Sequence, residues 1–184
     1  MSRLFTEDFF RNYSRTSLNE SQQIELRSFS QTAAWSDSQK FDIFLSYNIA
    51  DKAVVEGIYC YLSKLGYKVY LDSIIDPSLN RNSVTKQTAE KIRKRLRNSK
   101  SLIFAASQGA SLSKWMTWEL GMVDGNTSKC MLLPVAQGYE RVYDKQEYLK
   151  LYPVVYLSDS NTSKVVDDSG VERDLKVFVS PSML

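Results

Sequence analysis

The stretch FDIFLSYNIADKAVVEGIYCYLSKLGYKVYLD, residues 41–72, decides the fold of this chain. It begins with a short, nearly continuous apolar run at 41–47, which is typical of a parallel strand buried on both faces. Residues 51–65 then place apolar side chains at helical spacing, and Gly66 is suited to end that helix. A second apolar run follows at 67–72. The stretch therefore predicts a strand, a helix and a second, parallel strand.

The same alternation of apolar runs continues to residue 157. Downstream, the pattern predicts a helix at 84–98, a third strand at 101–106, a tryptophan-rich helix at 111–125, a fourth strand at 129–135, a short helix within 139–151 and a fifth strand at 153–157. Helices that connect parallel strands cover both faces of the sheet. We therefore predict an α/β, flavodoxin-like three-layer fold with a central, mainly parallel five-stranded sheet in the order 2-1-3-4-5.

Both ends of the chain differ from this regular pattern. Aromatic residues four apart (Phe5 and Phe9) and a capping-box pattern at 17–20 predict short helices near the front. Packing of this segment on the main domain is favoured over an independent partner-binding element. The predicted divisions are an N-terminal helical extension at 1–40, the main domain at 41–157, and a C-terminal tail at 158–184 with edge strands at 164–166 and 175–179.

The composition is that of an ordinary globular protein. The 184 residues carry a formal net charge of +3 and are 43% hydrophobic. A charge this small does not indicate a nucleic-acid partner, and no apolar run approaches the roughly 20 residues of a bilayer span. The first residues include acids where a signal peptide has an apolar core. We therefore expect a cytoplasmic protein without nucleic-acid or membrane partners, and we interpret the basic residues of 86–97 as a solvated helix face.

The chain contains no histidine. Catalytic Ser-His-Asp and Cys-His arrangements are therefore excluded, and the commonest metal ligand is missing. The two cysteines, Cys60 and Cys130, lie far apart and are interpreted as small buried side chains. The glycines form no nucleotide-binding fingerprint. Asp72 and Asp76 are close in sequence, but loop carboxylates usually serve turns or salt bridges, so we expect no metal site.

Glu119 is the candidate catalytic residue. It lies within residues 111–125, which have a serine-rich start, a glycine at the end and apolar side chains on almost every side. A buried carboxylate is costly unless it has a partner or a task. Flavodoxin-like sheets bind ligands beyond the carboxyl ends of strands 1 and 3. The predicted helix follows strand 3 directly and would therefore place Glu119 at this crevice. The residues that would line the crevice are Ser46, Tyr47, Asn48, Ser107 and Gln108.

Two of the candidate residues have an alternative interpretation. Glu119 lies one turn after Trp115 and could serve a structural pairing with an arginine or a hydroxyl group. Asp72 lies at the end of the second predicted strand, where it could bind a ribose hydroxyl or cap the following turn. The position of Glu119 at the crevice favours a functional role for it.

Four blocks of the chain resemble, in order and spacing, the blocks that define the Toll/interleukin-1 receptor (TIR) domain family. They are residues 41–47, 67–72, 101–107 and 113–120, and the resemblance extends over 41–157. Its most specific parts are the first strand's FLSY and the pattern Ser113-x-Trp115-x-x-x-Glu119-Leu120. Residues 118–125 and 146–153 are similar to stand-alone bacterial TIR proteins of Thoeris-type anti-phage defence. The chain has Asn48 where many family members have an arginine.

The resemblance implies an enzyme that cleaves NAD at the nicotinamide–ribose bond, with Glu119 as the catalytic residue and NAD as substrate rather than cofactor. Ser46, Tyr47 and Trp115 would line the pocket, beside the crevice residues Asp72 and Ser107. The implied products are nicotinamide and ADP-ribose, or a cyclic or conjugated derivative that signals to an effector protein. Self-association through TIR–TIR contacts is also implied.

Two other functions stay open at this point. One is a non-enzymatic TIR scaffold that acts only through TIR–TIR assembly, although such a scaffold has no need of a carboxylate at position 119. The other is a nucleoside or nucleotide N-glycosidase that uses the same sheet and carboxylate on a different substrate. Release of nicotinamide from NAD distinguishes an NAD-cleaving enzyme from both of these alternatives.

Overall fold

Eight strands form one mixed sheet at the centre of the chain. The computed structural model describes residues 3–17, 36–77, 79, 85–107, 113–136 and 147–179, without the side chains of 15–17. The strands are β1 (Phe5–Thr6), β2 (Phe41–Asn48), β3 (Val69–Tyr70), β4 (Ser99–Ser107), β5 (Cys130–Ala136), β6 (Val154–Leu157), β7 (Ser163–Val166) and β8 (Glu172–Asp174). The helices are α1 (Glu7–Ser17), α2 (Lys52–Lys64), α3 (Asp72–Ile75), α4 (Lys86–Arg97), α5 (Lys114–Thr127) and α6 (Leu175–Val179), with a 3-10 helix at Glu147–Leu151.

Five parallel strands carry the predicted topology. Their order is β3-β2-β4-β5-β6, which corresponds to the predicted order 2-1-3-4-5. The flavodoxin-like α/β fold is therefore confirmed. β7 and β8 extend the same sheet as antiparallel strands beyond β6, which confirms the predicted edge strand at 164–166.

Alternating side chains on β2 separate two apolar layers. Ile43 and Leu45 face the layer that contains α1, α2 and α6, whereas Phe44 faces the layer that contains α4 and α5. Both layers are buried, so the sheet has helices on each face as predicted. Ser46 follows Phe44 by two positions and therefore points toward the side of α4 and α5.

The front of the chain is built into this domain. β1 pairs in parallel with the end of β5, and Arg3 exchanges backbone hydrogen bonds with Leu157 of β6. Helix α1 then packs on α2, where a Cβ at Gly57 would lie 2.0 Å from the carbonyl oxygen of the buried Phe10. The sequence did not predict β1, because two residues are too few to show an alternating pattern. The second predicted helix of the extension lies outside the described residues.

Two predicted strands differ from the structure. The strand expected at 67–72 is limited to Val69–Tyr70, because the chain turns into helix α3 at Asp72. The strand expected at 175–179 is wrong, since these residues form α6. Leu175 and Val179 are buried while Val177 is 65% exposed. A strand would place all three side chains on one face, whereas a helix places the first and last together and turns Val177 away from them. In the part of the chain that the structure describes, no helix has the length and apolarity to cross a membrane.

Candidate active site

Helix α5 carries the carboxylate of the predicted site. Ser113 caps its start, with its Oγ accepting a hydrogen bond from the backbone N–H of Trp115 at 3.2 Å. The helix continues past Gly125, so the predicted glycine stop is wrong. It ends where Ser128 adopts a left-handed conformation, with φ of 52°, and donates its N–H back to the last turn.

Only one face of α5 is buried. The buried side chains on this face are Met116, Glu119, Leu120 and Val123. Trp115 and Trp118 are partly buried, and Thr117 and Gly121 are exposed. The expectation of a helix buried on almost every side is therefore wrong, but its consequence for Glu119 holds because this residue lies on the buried face.

Glu119 is held in direct contact with the end of strand β2. The hydroxyl of Ser46 donates a hydrogen bond to Glu119 Oε2 over 2.6 Å, and both residues have 0% exposure. A hydroxyl bond to a carboxylate is charge-assisted, and it offsets part of the cost of removing the charge from water. The structure thus brings together two residues that the sequence predicted at one crevice. Their roles with substrate remain a prediction.

Tyr47 and Asp72 form a second hydrogen-bonded pair. The Tyr47 hydroxyl donates to Asp72 Oδ1 at 3.2 Å, and the same oxygen accepts the backbone N–H of Ser73 at 2.8 Å. Asp72 therefore contacts the backbone of the next residue, although the N-cap of α3 is Leu71 and not Asp72. Successive strand residues point to opposite faces, so Tyr47 packs against the layer of α2 while Ser46 faces α5.

Ser107 and Trp115 occupy the borders of the same sheet edge. Ser107 is the partly buried last residue of β4, one position beyond the pairing of Asn48 with Ala106. Trp115 lies one helical turn before Glu119, and its ring meets that of Trp118 edge-on at 5.5 Å. A substrate contact of Ser107 and Trp115 stays a prediction, and Gln108 lies outside the described residues.

A buried ion pair near this edge was missed by the sequence interpretation. Arg95 is 1% exposed and donates from Nε to Asp76 Oδ2 at 2.9 Å, so its assignment to a solvated helix face is wrong. Asp76 is 5% exposed and also pairs with Lys91 at 2.8 Å, in line with the salt-bridge interpretation of this carboxylate. The signal was present, because Arg95 follows Ile92 by three positions and therefore shares its buried face.

The mutual contact of Asp76 and Arg95 shifts the pKa of each group against the effect of burial. Burial alone would raise the pKa of Asp76, but hydrogen bonds from Arg95 and Lys91 outweigh this effect and hold the pKa below its usual value. Burial alone would likewise lower the pKa of Arg95, and the Asp76 carboxylate raises it instead. Both groups are therefore charged at neutral pH.

The two cysteines do not offer a nucleophile. Both are free and buried, as predicted. Burial raises the pKa of Cys60 to about 11 and that of Cys130 to about 12. Both thiols are therefore protonated at neutral pH, and a thiol is a poor nucleophile and a poor metal ligand in that state.

The described residues contain no group of three or more Cys, Asp or Glu that could hold a metal ion. A cavity of about 340 Å³ lies elsewhere, against β6 and β7. Its described lining residues are Arg3, Leu4, Lys150, Tyr152, Val154, Tyr156, Val166, Asp167 and Asp168, and they include none of the predicted site residues. Among the described residues, the carboxylates of Glu119 and Asp72 both contact the carboxyl end of β2, the first through Ser46 and the second through Tyr47.

The fold, the strand motif and the helix motif agree with a comparison against protein families. The family description "TIR domain" matches residues 43–166. This chain belongs to the TIR domain family. The matched range includes β7, and the front segment with β1 and α1 lies outside it.

Two relatives of this TIR protein carry assigned functions. A protein of Bacillus cereus (strain MSX-D12), named "Probable 3' cyclic ADP-D-ribose synthase ThsB'", is 41% identical over 159 residues, which cover 83% of this chain and 82% of that protein. A protein of Cytobacillus dafuensis, named "Putative cyclic ADP-D-ribose synthase TIR2", is 30% identical over 81 residues, which cover 44% of this chain and 21% of that protein.

Proposed function

We propose that this TIR protein cleaves NAD between nicotinamide and ribose and makes a cyclic ADP-ribose signal in bacterial anti-phage defence. The observation that carries the proposal is Glu119, a fully buried carboxylate that Ser46 holds at the carboxyl edge of the sheet. The assigned activity of the Bacillus cereus relative supports the substrate class, because that protein matches most of this chain.

The chemistry requires one carboxylate near the reacting carbon. When the bond between C1′ and the pyridinium nitrogen breaks, its electron pair leaves with nicotinamide, which departs as a neutral molecule. The ribose then has an oxocarbenium-like positive charge. Glu119 would stabilise this charge through space, or hold the ribose hydroxyls that share it. A leaving group that is already cationic on the sugar needs no general acid, in keeping with a chain that has no histidine.

The nucleophile that captures C1′ decides between hydrolysis and cyclisation. Water would give ADP-ribose, whereas a hydroxyl group of the same molecule would close a ring and lose its proton to a base. We favour cyclisation, because Glu119 is buried and a site that excludes water suppresses the hydrolytic outcome. The assignment of both relatives as cyclic ADP-D-ribose synthases is in line with this choice.

Signalling through this product implies two further kinds of partner. One is a downstream effector protein that binds the cyclic nucleotide. The other is a second copy of this chain, since TIR domains assemble with one another and the substrate pocket at a sheet edge is suited to completion by a neighbour. Neither partner requires a cofactor or a metal ion.

Labelled water tests this proposal directly. The purified chain is incubated with NAD in water enriched in oxygen-18, with and without extract from phage-infected cells. We expect nicotinamide together with a cyclic ADP-ribose isomer that contains no label, measured by liquid chromatography and mass spectrometry. If labelled ADP-ribose is the main product, water is the nucleophile, and the enzyme is a hydrolase and not a cyclase. If no nicotinamide is released in either condition, the enzyme proposal is wrong and the scaffold alternative is favoured.

A further inference from the structure

The strongest feature that the proposed function leaves unexplained is the buried carboxylate Asp76. It lies directly after helix α3 and has four hydrogen-bond or ion-pair contacts from three side chains. Arg95 donates from Nε at 2.9 Å and from Nη2 at 3.2 Å, the Tyr70 hydroxyl donates at 3.0 Å, and Lys91 Nζ lies at 2.8 Å. A carboxylate with this many short contacts has little freedom to move.

Arg95 is fixed as firmly as its partner. Its third nitrogen, Nη1, donates to the carbonyl oxygen of Ser36 at 2.9 Å. Its guanidinium also lies 5.9 Å from the ring centre of Phe41 and 5.8 Å from that of Tyr70. The side chain therefore joins helix α4, the residues that precede β2, and the loop after β3 at one buried point.

The pair acts on α3 through the backbone. The N–H of Asp76 bonds to the carbonyl of Asp72 at 2.9 Å, which closes the single turn of this four-residue helix. Asp72 in turn accepts the hydroxyl of Tyr47, the residue after Ser46 on β2. An isolated helix of one turn is not stable by itself, so its position depends on contacts such as these.

We infer that the Asp76–Arg95 pair is a positioning device that fixes α3, and through it the Asp72–Tyr47 contact, for substrate binding. The inference rests on the proposed function, since it names residues that prepare the same crevice. Arg95 is a positioning residue and touches no reacting atom. Its loss is expected to weaken binding of NAD more than it slows the chemical step, which depends on the separate contact between Ser46 and Glu119.

The alternative is that the pair only stabilises the fold. Buried ion pairs are often replaceable by apolar residues without loss of stability. The double variant Asp76→Leu/Arg95→Met therefore separates the two roles, because it leaves no buried charge unpaired and is expected to fold. A positioning role predicts that this variant still binds NAD poorly, whereas a purely structural role predicts wild-type binding.

The test measures the KM and kcat for NAD, the unfolding midpoint, and hydrogen exchange of the amides of α3. The variants are Arg95→Met and the double variant, with Lys94→Met as the matched control, because Lys94 pairs with the exposed Asp37 on the outside of the same helix. We expect Arg95→Met and the double variant to raise KM by about tenfold or more and to change kcat by no more than about twofold. Amide exchange in α3 should be faster in both variants and unchanged in the control.

Two results would overturn the inference. One is a double variant with wild-type KM, and the other is wild-type exchange of α3 in the absence of Arg95. If wild-type protein releases no nicotinamide, the proposed function fails separately, and hydrogen exchange alone then supports or overturns the positioning of α3 by the pair.

Discussion

Among the described residues, the carboxylates buried near this sheet edge are Asp72, Asp76 and Glu119, and the contacts described around the last two differ in kind. Asp76 lies in an ion pair with Arg95 and Lys91 and accepts a further bond from Tyr70. Glu119 lies on a mostly apolar helix face, where the hydroxyl of a serine donates to it. The carboxylate of Asp76 is surrounded by cations that belong to the fold. That of Glu119 accepts the hydroxyl of Ser46 at the edge where a ligand would bind.

This difference separates a stabilising role from a chemical one. A carboxylate whose charge is matched by arginine and lysine keeps the neighbouring elements together, and removal of Asp76 leaves the buried Arg95 without compensation. A carboxylate that a hydroxyl orients at the edge of the sheet can stabilise a positive transition state through its negative charge. The comparison therefore predicts that loss of Asp76 acts on stability and on NAD binding, whereas loss of Glu119 acts mainly on the chemical step.

Removal of the Asp76 carboxylate gives the largest expected effect on stability. Asp76→Ala leaves Arg95 buried without its partner, so we expect the free energy of unfolding to fall by about 3–5 kcal/mol. Urea unfolding followed by circular dichroism measures this change. A loss below about 1 kcal/mol would contradict the assignment of the pair as a structural anchor.

Removal of the Ser46 hydroxyl tests the other carboxylate. Hydrogen bonds to charged groups contribute about 1.5–3 kcal/mol, so Ser46→Ala is expected to lower kcat for nicotinamide release by roughly 10- to 100-fold through misorientation of Glu119. The matched control is Ser101→Ala, because Ser101 is also fully buried but donates to the backbone carbonyl of Asp42. Equal losses of activity in both variants would show that buried serines matter only for folding.

Acid pH should remove the contribution of Asp76 selectively. Its folded-state pKa lies below the usual value of 3.8, so its stabilisation is complete above that value and is lost as the pH falls through the folded-state pKa. The stability difference between wild type and Asp76→Asn is therefore expected to be full at about pH 6 and smaller at about pH 3. Urea unfolding at the two pH values measures this difference. If the free energies of unfolding of wild type and Asp76→Asn differ by the same amount at both, the charge of Asp76 does not account for its stabilising effect.

The exposed pair between Lys94 and Asp37 provides the smallest expected effect. Lys94 Nζ lies 2.6 Å from Asp37 Oδ2, but the side chain of Lys94 is 53% exposed and that of Asp37 is 65% exposed. Water and salt screen such a pair. We therefore expect Lys94→Met to leave the urea midpoint unchanged within error, and a loss comparable with that of Asp76→Ala would remove the distinction between buried and exposed pairs.

The sequence predicted the site better than it predicted its support. Glu119 and Ser46 could be placed together because both lie at the carboxyl edge of regular, strongly apolar elements, where topology sets their neighbourhood. The burial of Arg95 was indicated by its spacing from Ile92, but its contact with Asp76 could not be predicted. Its partner is 19 residues away in a loop whose path no periodicity describes.

Short elements account for most of the remaining differences. β1 and α6 contain two and five residues, which is too few for a period to separate a strand from a helix. The two-residue β1 is held by pairing with β5, and α6 by burial of Leu175 and Val179. These are tertiary contacts, and they override weak local preferences.

Replacement of Glu119 by glutamine tests the central claim most directly. Glutamine has nearly the same shape and removes only the negative charge, so Glu119→Gln should fold as well as wild type. The measurement is nicotinamide release from NAD in the presence of extract from phage-infected cells, with the exposed Glu147→Gln as control. The account predicts a loss of at least about 100-fold for Glu119→Gln and wild-type release for the control. Wild-type release by a folded Glu119→Gln protein would contradict it.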